Sequence, residues 1–384
     1  MAPVLALIAL LAAQTPATPA ARGNALAAEP PRIDVAALLE PIRARNDMPG
    51  MVAAIVDRDG AVAIGACGVR ERGRAERMTS ADRMHLGSCT KSMTATLCAK
   101  LVEKGALKWT TTVGGSFADW GDAVDAGWKA VTLEQLLTHR GGVPGDVEPA
   151  LWARLYTSKD GPRAQREQLA RGIFAIAPAH APATKFEYSN AGIAIAGLMA
   201  ERAAEKDFEA LLHDELFAPL AMVRSGFGPP GSEGGLDEPR GHRADGTPVG
   251  LGPESDNPAA IAPAGRVHAS LGDWAQYAAL HLRGEKEGGL DITAGTFARL
   301  HTPPKDGLDP YAMGWMALDR AWGGRVLTHS GSNTLWYCVA WLAPEKGFGV
   351  LVATNQGGDA AAKACDEASG ALIQAWTKRA GAGK

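Results

Sequence analysis

The 384-residue chain contains no Gly-x-Ser-x-Gly elbow, no His-Glu-x-x-His, no Cys-x-x-Cys pair and no Lys-[Ser/Thr]-Gly triplet. The first absence argues against an α/β-hydrolase esterase, whose serine needs a strained strand-to-helix turn. The second argues against a zinc hydrolase, although nine histidines are present. The five cysteines (Cys67, Cys89, Cys98, Cys338 and Cys365) lack metal-ligand spacing, so neither a metal nor another cofactor is expected. Cys89 and Cys98 read as small apolar side chains on a buried helix, and Cys338 is available to pair with Cys365 in an oxidising compartment. Charge is nearly balanced, 39 Lys and Arg against 42 Asp and Glu, with no basic block. That excludes an electrostatic footprint for nucleic acid.

Long apolar runs are also scarce. Val4 to Ala13 (VLALIALLAA) is too short to span a bilayer and suits the core of a signal peptide, although no Lys or Arg precedes it. Residues 1–32 are therefore expected to be a signal peptide and linker, and the remaining chain periplasmic or secreted. No stable membrane span is expected, and oligomeric state is not legible.

What is present is a chain rich enough in apolar residues, 46%, to build a sizeable core. Apolar runs around Asp59-Gly60 between Met51 and Val69 predict a β-hairpin. Met93, Leu97 and Leu101 recur at helical spacing and predict a helix from Ser88 to Lys104. Further helices are predicted over Val131–Leu137 with Thr132 as N-cap, Ala191–Ala204, Phe208–Phe217, Asp273–Leu282 and Glu367–Thr377. Strands are predicted at Val326–Leu327, Leu335–Leu342 and Gly349–Thr354. Between Ser225 and Gly265, 17 of 41 residues are Gly or Pro, so that stretch must be loop. The order predicts an α/β domain over residues 33–378. Its sheet part comes from both ends (about 33–108 and 310–378) and its mainly helical insertion from about 109–309.

Of thirteen serines, only Ser88 is followed three residues later by a lysine, Lys91. On a helix that spacing puts both on one face, where the amine can take the hydroxyl proton. A helix N-terminus at Ser88 adds N–H groups that favour developing negative charge. Such a pair alone would be an ordinary N-cap serine and surface lysine. The setting HLGSCTKSMTATLCAKL, a strand pair followed by an apolar helix, favours catalysis instead. Tyr188-Ser189-Asn190 supplies a phenol that can relay a proton and an amide that can donate and accept. Ser255-Asp256-Asn257 is read as coincidence, because it lies in the Gly/Pro loop with Pro258 directly after it. His329-Ser330-Gly331 lies between two predicted strands, where histidine can donate a hydrogen bond and Gly331 permits close approach.

With these motifs assembled, the chain resembles the β-lactamase-related serine hydrolases. That family includes class C β-lactamases, D-alanyl-D-alanine carboxypeptidases, D-aminopeptidases and certain esterases. VTLEQLLTHRGGVP, LFAPLAM, AGRVHASLGDWAQYAALHL and YAMGWMAL are similar to further family landmarks, over roughly Ile33 to Trp376. The resemblance implies a β-lactamase/transpeptidase-like fold, an antiparallel sheet flanked by helices. It implies acylation of Ser88, proton work shared by Lys91 and Tyr188, and orientation of the substrate amide or the lysine by Asn190. The N–H groups of Ser88 and Ser332 would form the oxyanion hole, and His329 would hold a substrate carboxylate or shape the site.

Three departures stand out. His329 replaces the lysine of typical class C β-lactamases. SNTLWY replaces the usual Gly-rich stretch after Gly331, so Trp336 and Tyr337 either line the pocket or pack in the core. Arg140-Gly141 replaces the usual Thr-Ser, a change expected to be structural. The expected substrate is a small molecule or peptide with an amide or ester bond. A true β-lactamase and a non-catalytic binding member of the family are the alternatives.

Overall fold

Residues 33–382 are described by the computed structural model; the signal-peptide expectation lies outside them. The predicted hairpin is present as β1 (Gly50–Asp57) and β2 (Gly60–Gly68), joined by a two-residue turn. Near the C-terminal end come β3 (Met316–Arg320), β4 (Gly324–Ser332), β5 (Tyr337–Ala343) and β6 (Phe348–Thr354). The six strands form one sheet in the order β2-β1-β6-β5-β4-β3, every pair antiparallel. Pairing of β1 with β6 is what joins the two chain ends.

Strand periodicity then divides the core. On β1, Met51, Ala53 and Ile55 face one side and Val52, Ala54 and Val56 the other. Helices α1 (Val35–Arg45) and α7 (Asp359–Ala382) cover the first side with Val35, Leu39, Ala364 and Leu372. The second side carries α2 (Thr90–Glu103) and α6 (Leu271–Glu287), which continue into the helical part. That part contains α3 (Pro149–Thr157), α4 (Pro162–Phe174) and α5 (Asn190–Ala204), besides shorter turns. Fully burying each large apolar side chain contributes about 1.5–3 kcal/mol, so both faces of the sheet are energetically committed. Among the described residues, no helix is long and apolar enough to cross a membrane.

Several elements differ from the sequence reading. His329, Ser330 and Gly331 lie within β4, because pairing with β5 keeps the backbone extended as far as Ser332. Helical turns over Phe208–Phe217 are regular only to Leu212, beyond which a wider turn covers His213–Phe217. The Gly/Pro stretch is mainly loop, with two-residue strands and short turns. It is fastened where Glu238 accepts from Arg83 at 2.8 and 2.9 Å and from Arg224 at 2.6 Å. The cysteine expectation is also corrected. Cys338 and Cys365 belong to opposite faces of the sheet, and the thiol beside Cys338 is Cys89, with their sulfurs 3.6 Å apart. All five cysteines are free and buried.

Candidate active site

Ser88 lies in a tight 3-10 turn, Gly87–Cys89, that leads directly into α2. Two glycines make its setting possible. Gly87 has φ +46°, and a Cβ there would meet the Ser332 nitrogen at 2.4 Å. A Cβ on Gly331 would meet the Leu86 carbonyl oxygen at 2.0 Å and the Ser88 nitrogen at 2.9 Å. Only hydrogen at both positions lets the serine turn and β4 approach this closely, which brings the Ser88 and Ser332 backbone nitrogens to one narrow gap. Pairing of β3 with β4 stops at Thr328, so β3 leaves the outer edge of Ser330 to Ser332 unpaired.

Lys91 follows one helical turn later and is fully buried. Its Nζ donates to Ser88 Oγ at 2.9 Å, Asn190 Oδ1 at 2.7 Å and the Ala264 carbonyl at 2.7 Å. No carboxylate pairs with it among the described residues. Burial therefore dominates and pushes the amine down to about 7. Close to neutral pH such a lysine exists partly as a free base, the form that can take a proton from Ser88.

The Tyr188 ring lies 4.7 Å from Lys91 Nζ. As a residue it is 36% exposed, but its phenol is the enclosed end, and burial pushes that group above its usual range. The phenol thus stays protonated. Ser189 caps α5 by accepting from the Gly192 N–H at 3.2 Å, which places Asn190 at the first helical position with its Oδ1 on Lys91.

Two further residues complete the site and escape a reading of the sequence. His139 has φ +58° and lies 4.4 Å from the Tyr188 ring, centroid to centroid. Its Nδ1 accepts from the Ser189 N–H at 3.2 Å, and its carbonyl accepts from the Glu187 N–H at 2.9 Å. Burial, then the nearby Lys91 charge, holds its imidazole well below the usual histidine range. The only sequence signals of the two residues are the landmarks VTLEQLLTHRGGVP and YAMGWMAL, which contain His139 and Tyr311. Tyr311 is buried, and its hydroxyl lies 3.1 Å from His329 Nε2. His329 Nδ1 in turn meets the Ser330 carbonyl at 2.5 Å, so that nitrogen carries a proton. Both ring nitrogens are thereby engaged within the protein, an arrangement that shapes the site. Arg140 supports this side structurally: it pairs with Asp306 and donates to the Asp309 carbonyl at 3.0 Å, on the loop that carries Tyr311. Trp336 is buried in the core, whereas Tyr337 reaches the site.

Two cavities contain residues of the site. One of about 380 Å³ is lined by Ser88, Tyr188, Tyr311, His329, Ser332 and Tyr337. A larger one, about 760 Å³, does not include Ser88 but is lined by Asn190, whose Oδ1 meets Lys91; Val147, Pro149, Trp152 and Tyr156 form its apolar walls. Among the described residues, no three His, Cys, Asp or Glu side chains cluster as metal ligands. A hydroxyl beside a neutral amine and a gap lined by backbone nitrogens can attack an acyl carbonyl and stabilise the resulting oxyanion.

Comparison with known proteins identifies the family and the fold. The family model described as Beta-lactamase matches residues 35–374. "Penicillin-binding protein 4" of Amycolatopsis lactamdurans is 30% identical over 187 residues, 48% of this chain and 46% of that protein. "Protein flp" of Staphylococcus aureus (strain COL) is 24% identical over 38% of this chain and 28% of its own length. The chain thus spans less than half the length of these curated relatives. In fold, it superposes on a class C beta lactamase from Rhodobacter sphaeroides with TM-score 0.71, at 19% identity over 89% of this chain and 99% of that one. The octameric penicillin-binding protein homologue from Pyrococcus abyssi gives TM-score 0.70, at 23% identity over 89% and 78%.

Proposed function

This chain belongs to the beta-lactamase family, and from that premise we propose that it is a serine hydrolase working through an acyl-enzyme on Ser88. The observation that carries the reading is the 2.9 Å contact between Ser88 Oγ and a buried, carboxylate-free Lys91. In acylation, neutral Lys91 takes the Ser88 proton while Oγ bonds to the substrate carbonyl carbon. The carbonyl oxygen becomes an oxyanion between the Ser88 and Ser332 N–H groups. Collapse breaks the bond to the leaving amine or alcohol, which takes a proton from the Tyr188 phenol, and Lys91 returns its proton to Tyr188. Water then releases the acid by the same path in reverse.

The cavities support a substrate class. Neither has a Lys or Arg in its lining, and both His329 nitrogens are engaged. Nothing there is poised to hold a substrate carboxylate. An ester or amide with a bulky apolar acyl group, seated against Trp152 and Tyr156, fits better than a free C-terminal peptide. The test is intact mass after brief exposure to a penicillin and to an aryl ester, in wild type and Ser88→Ala. An adduct in wild type alone supports the reading. Its rapid decay with the penicillin would mark a β-lactamase, and slow decay a peptidase- or esterase-like enzyme. No adduct and no hydrolysis with either would sink the proposal in favour of a non-catalytic member.

A further inference from the structure

Asp256 belongs to the Ser-Asp-Asn triplet in the Gly/Pro loop, which by sequence alone reads as coincidence. It is nevertheless buried, 7% exposed, and its carboxylate touches three other parts of the chain. Oδ2 accepts from Arg266 Nε at 2.9 Å. Oδ1 accepts from the Asn257 N–H at 2.8 Å and from Asn333 Nδ2 at 3.2 Å. The same oxygen lies 3.0 Å from His85 Nε2, an electrostatic contact and not a straight hydrogen bond. A carboxylate removed from water to this extent is stable only when its neighbours compensate it, so its placement is unusually well determined.

Two of those neighbours lead to the oxyanion gap. His85 Nδ1 accepts from the Gly87 N–H at 3.2 Å, one residue before Ser88. An accepting Nδ1 on a neutral ring puts the proton on Nε2, towards Asp256. On the other side, Asn333 directly follows Ser332, and its Oδ1 accepts from the Leu335 N–H at 3.2 Å. Asn333 and His85 are both buried, 5% and 1% exposed. One carboxylate is thereby tied to both sides of the gap, to the residue before Ser88 and to the residue after Ser332.

We propose that Asp256 is a positioning residue that sets the separation of the Ser88 and Ser332 N–H groups, acting through His85 on one side and Asn333 on the other. Donors aimed at a developing oxyanion lose their effect when displaced by fractions of an ångström, because their strength depends on preorganisation. The triplet is therefore not a proton-handling motif in this chain; it supports the stabilisation of the tetrahedral intermediate from behind. Arg266, on the opposite oxygen, serves as the control. Its loss unpairs Asp256 without touching either link to the gap.

The inference rests on Ser88 being the nucleophile, and the experiment separates the two. A fluorophosphonate ester is attacked at phosphorus, with loss of fluoride, only by an activated nucleophile, and the reaction builds negative charge on the phosphoryl oxygen. Full-length wild type, His85→Gln, Asn333→Ala, Asp256→Asn, Asp256→Ala and Arg266→Gln are labelled at Ser88 and followed by intact mass, with melting temperature measured in parallel. His85→Gln, Asn333→Ala and Asp256→Ala should slow labelling about tenfold or more. Asp256→Asn keeps an acceptor at Oδ1 and should lose less than Asp256→Ala. Adding Asp256→Ala to the combined His85→Gln and Asn333→Ala variant should slow labelling little further, since Asp256 acts through those two residues. Arg266→Gln should lower the melting temperature yet keep labelling within about twofold of wild type, by this reasoning from its geometry. Labelling within twofold of wild type in every folded variant would overturn the positioning role. Wild type that is not labelled at Ser88 would instead remove the nucleophile assignment, and the inference with it.

Discussion

Replacing Lys91 with methionine tests the charge state on which the proposed chemistry depends. In the unfolded chain the amine binds its proton up to about pH 10.5, whereas burial pushes the folded value down to about 7. Between those values the unfolded state holds more protons, so wild-type stability rises with pH, by about 1.4 kcal/mol per unit. Near pH 7 the folded amine is still half protonated, which softens the start of the rise. From pH 7 to 9 the gain is about 2 kcal/mol. The substituted thioether does not titrate. The difference in unfolding free energy, wild type minus Lys91→Met, should therefore shift in favour of wild type by about 2 kcal/mol over that range, while other titrating groups largely cancel. Urea denaturation of both proteins at pH 7, 8 and 9 reads it directly. The rate of Ser88 acylation in wild type should climb along an ascending limb near pH 7, and Lys91→Met should acylate at least about a hundredfold more slowly. A difference that stays flat from pH 7 to 9 would mean that Lys91 keeps its proton throughout. A charged amine cannot accept one from Ser88, and the base would have to be sought elsewhere.

Tyr188→Phe removes only the hydroxyl and leaves the ring against His139, so stability should hold while acylation falls about a hundredfold or more. Stopped-flow acylation with an aryl ester checks this, and wild-type rates would take the phenol out of the mechanism. Gly331→Ala places a methyl 2.0 Å from the Leu86 carbonyl oxygen. The turn and strand must separate, so Ser88 labelling should be lost together with about 1–3 kcal/mol of stability, measured by urea denaturation. Trp152→Ala opens the wall of the larger cavity. The ratio of kcat/KM for a bulky aryl acyl ester over an acetyl ester should drop about tenfold, and an unchanged ratio would move the acyl group out of that cavity.

Most of the fold is legible where the physics is local. The β1–β2 hairpin, the cap at Thr132 and the helix beginning after Ser189 each depend on residues within one turn or one strand. Thr132 even completes a reciprocal bond with Gln135, at 2.9 and 3.2 Å, that its spacing anticipates. The misses are of two kinds. Helix α4 mixes many polar residues with few apolar ones, and α3 is only nine residues long, so neither carries a sustained periodic signal. The end of β4 looks like loop because Ser330, Gly331 and Ser332 have poor strand propensity. Their extended form comes from pairing with β5, a tertiary effect that overrides the local preference.

The site divides along the same line. Ser88 and Lys91 are three residues apart, so helical geometry alone puts their functional atoms together. Asn190 joins them from 99 residues away; the sequence places the helix start at Ala191, whereas Ser189 caps it and Asn190 is its first residue. His139 and Tyr311 lie in the landmarks VTLEQLLTHRGGVP and YAMGWMAL, which assign neither a role. Each matters through contacts that exist only after folding: His139 against the Tyr188 ring and the Ser189 N–H, Tyr311 against His329. Once Tyr311 lies against Nε2, His329 changes from a side chain turned to substrate to a ring held in place by its neighbours. Residue type suggests the first role, and only the neighbour decides for the second. Asp256 is the extreme case. A loop crowded with Gly and Pro has no local reason to be ordered, so its triplet gives no sign of importance. Its carboxylate is nonetheless one of the most completely compensated in the protein, with Arg266, Asn333, His85 and a backbone N–H around it.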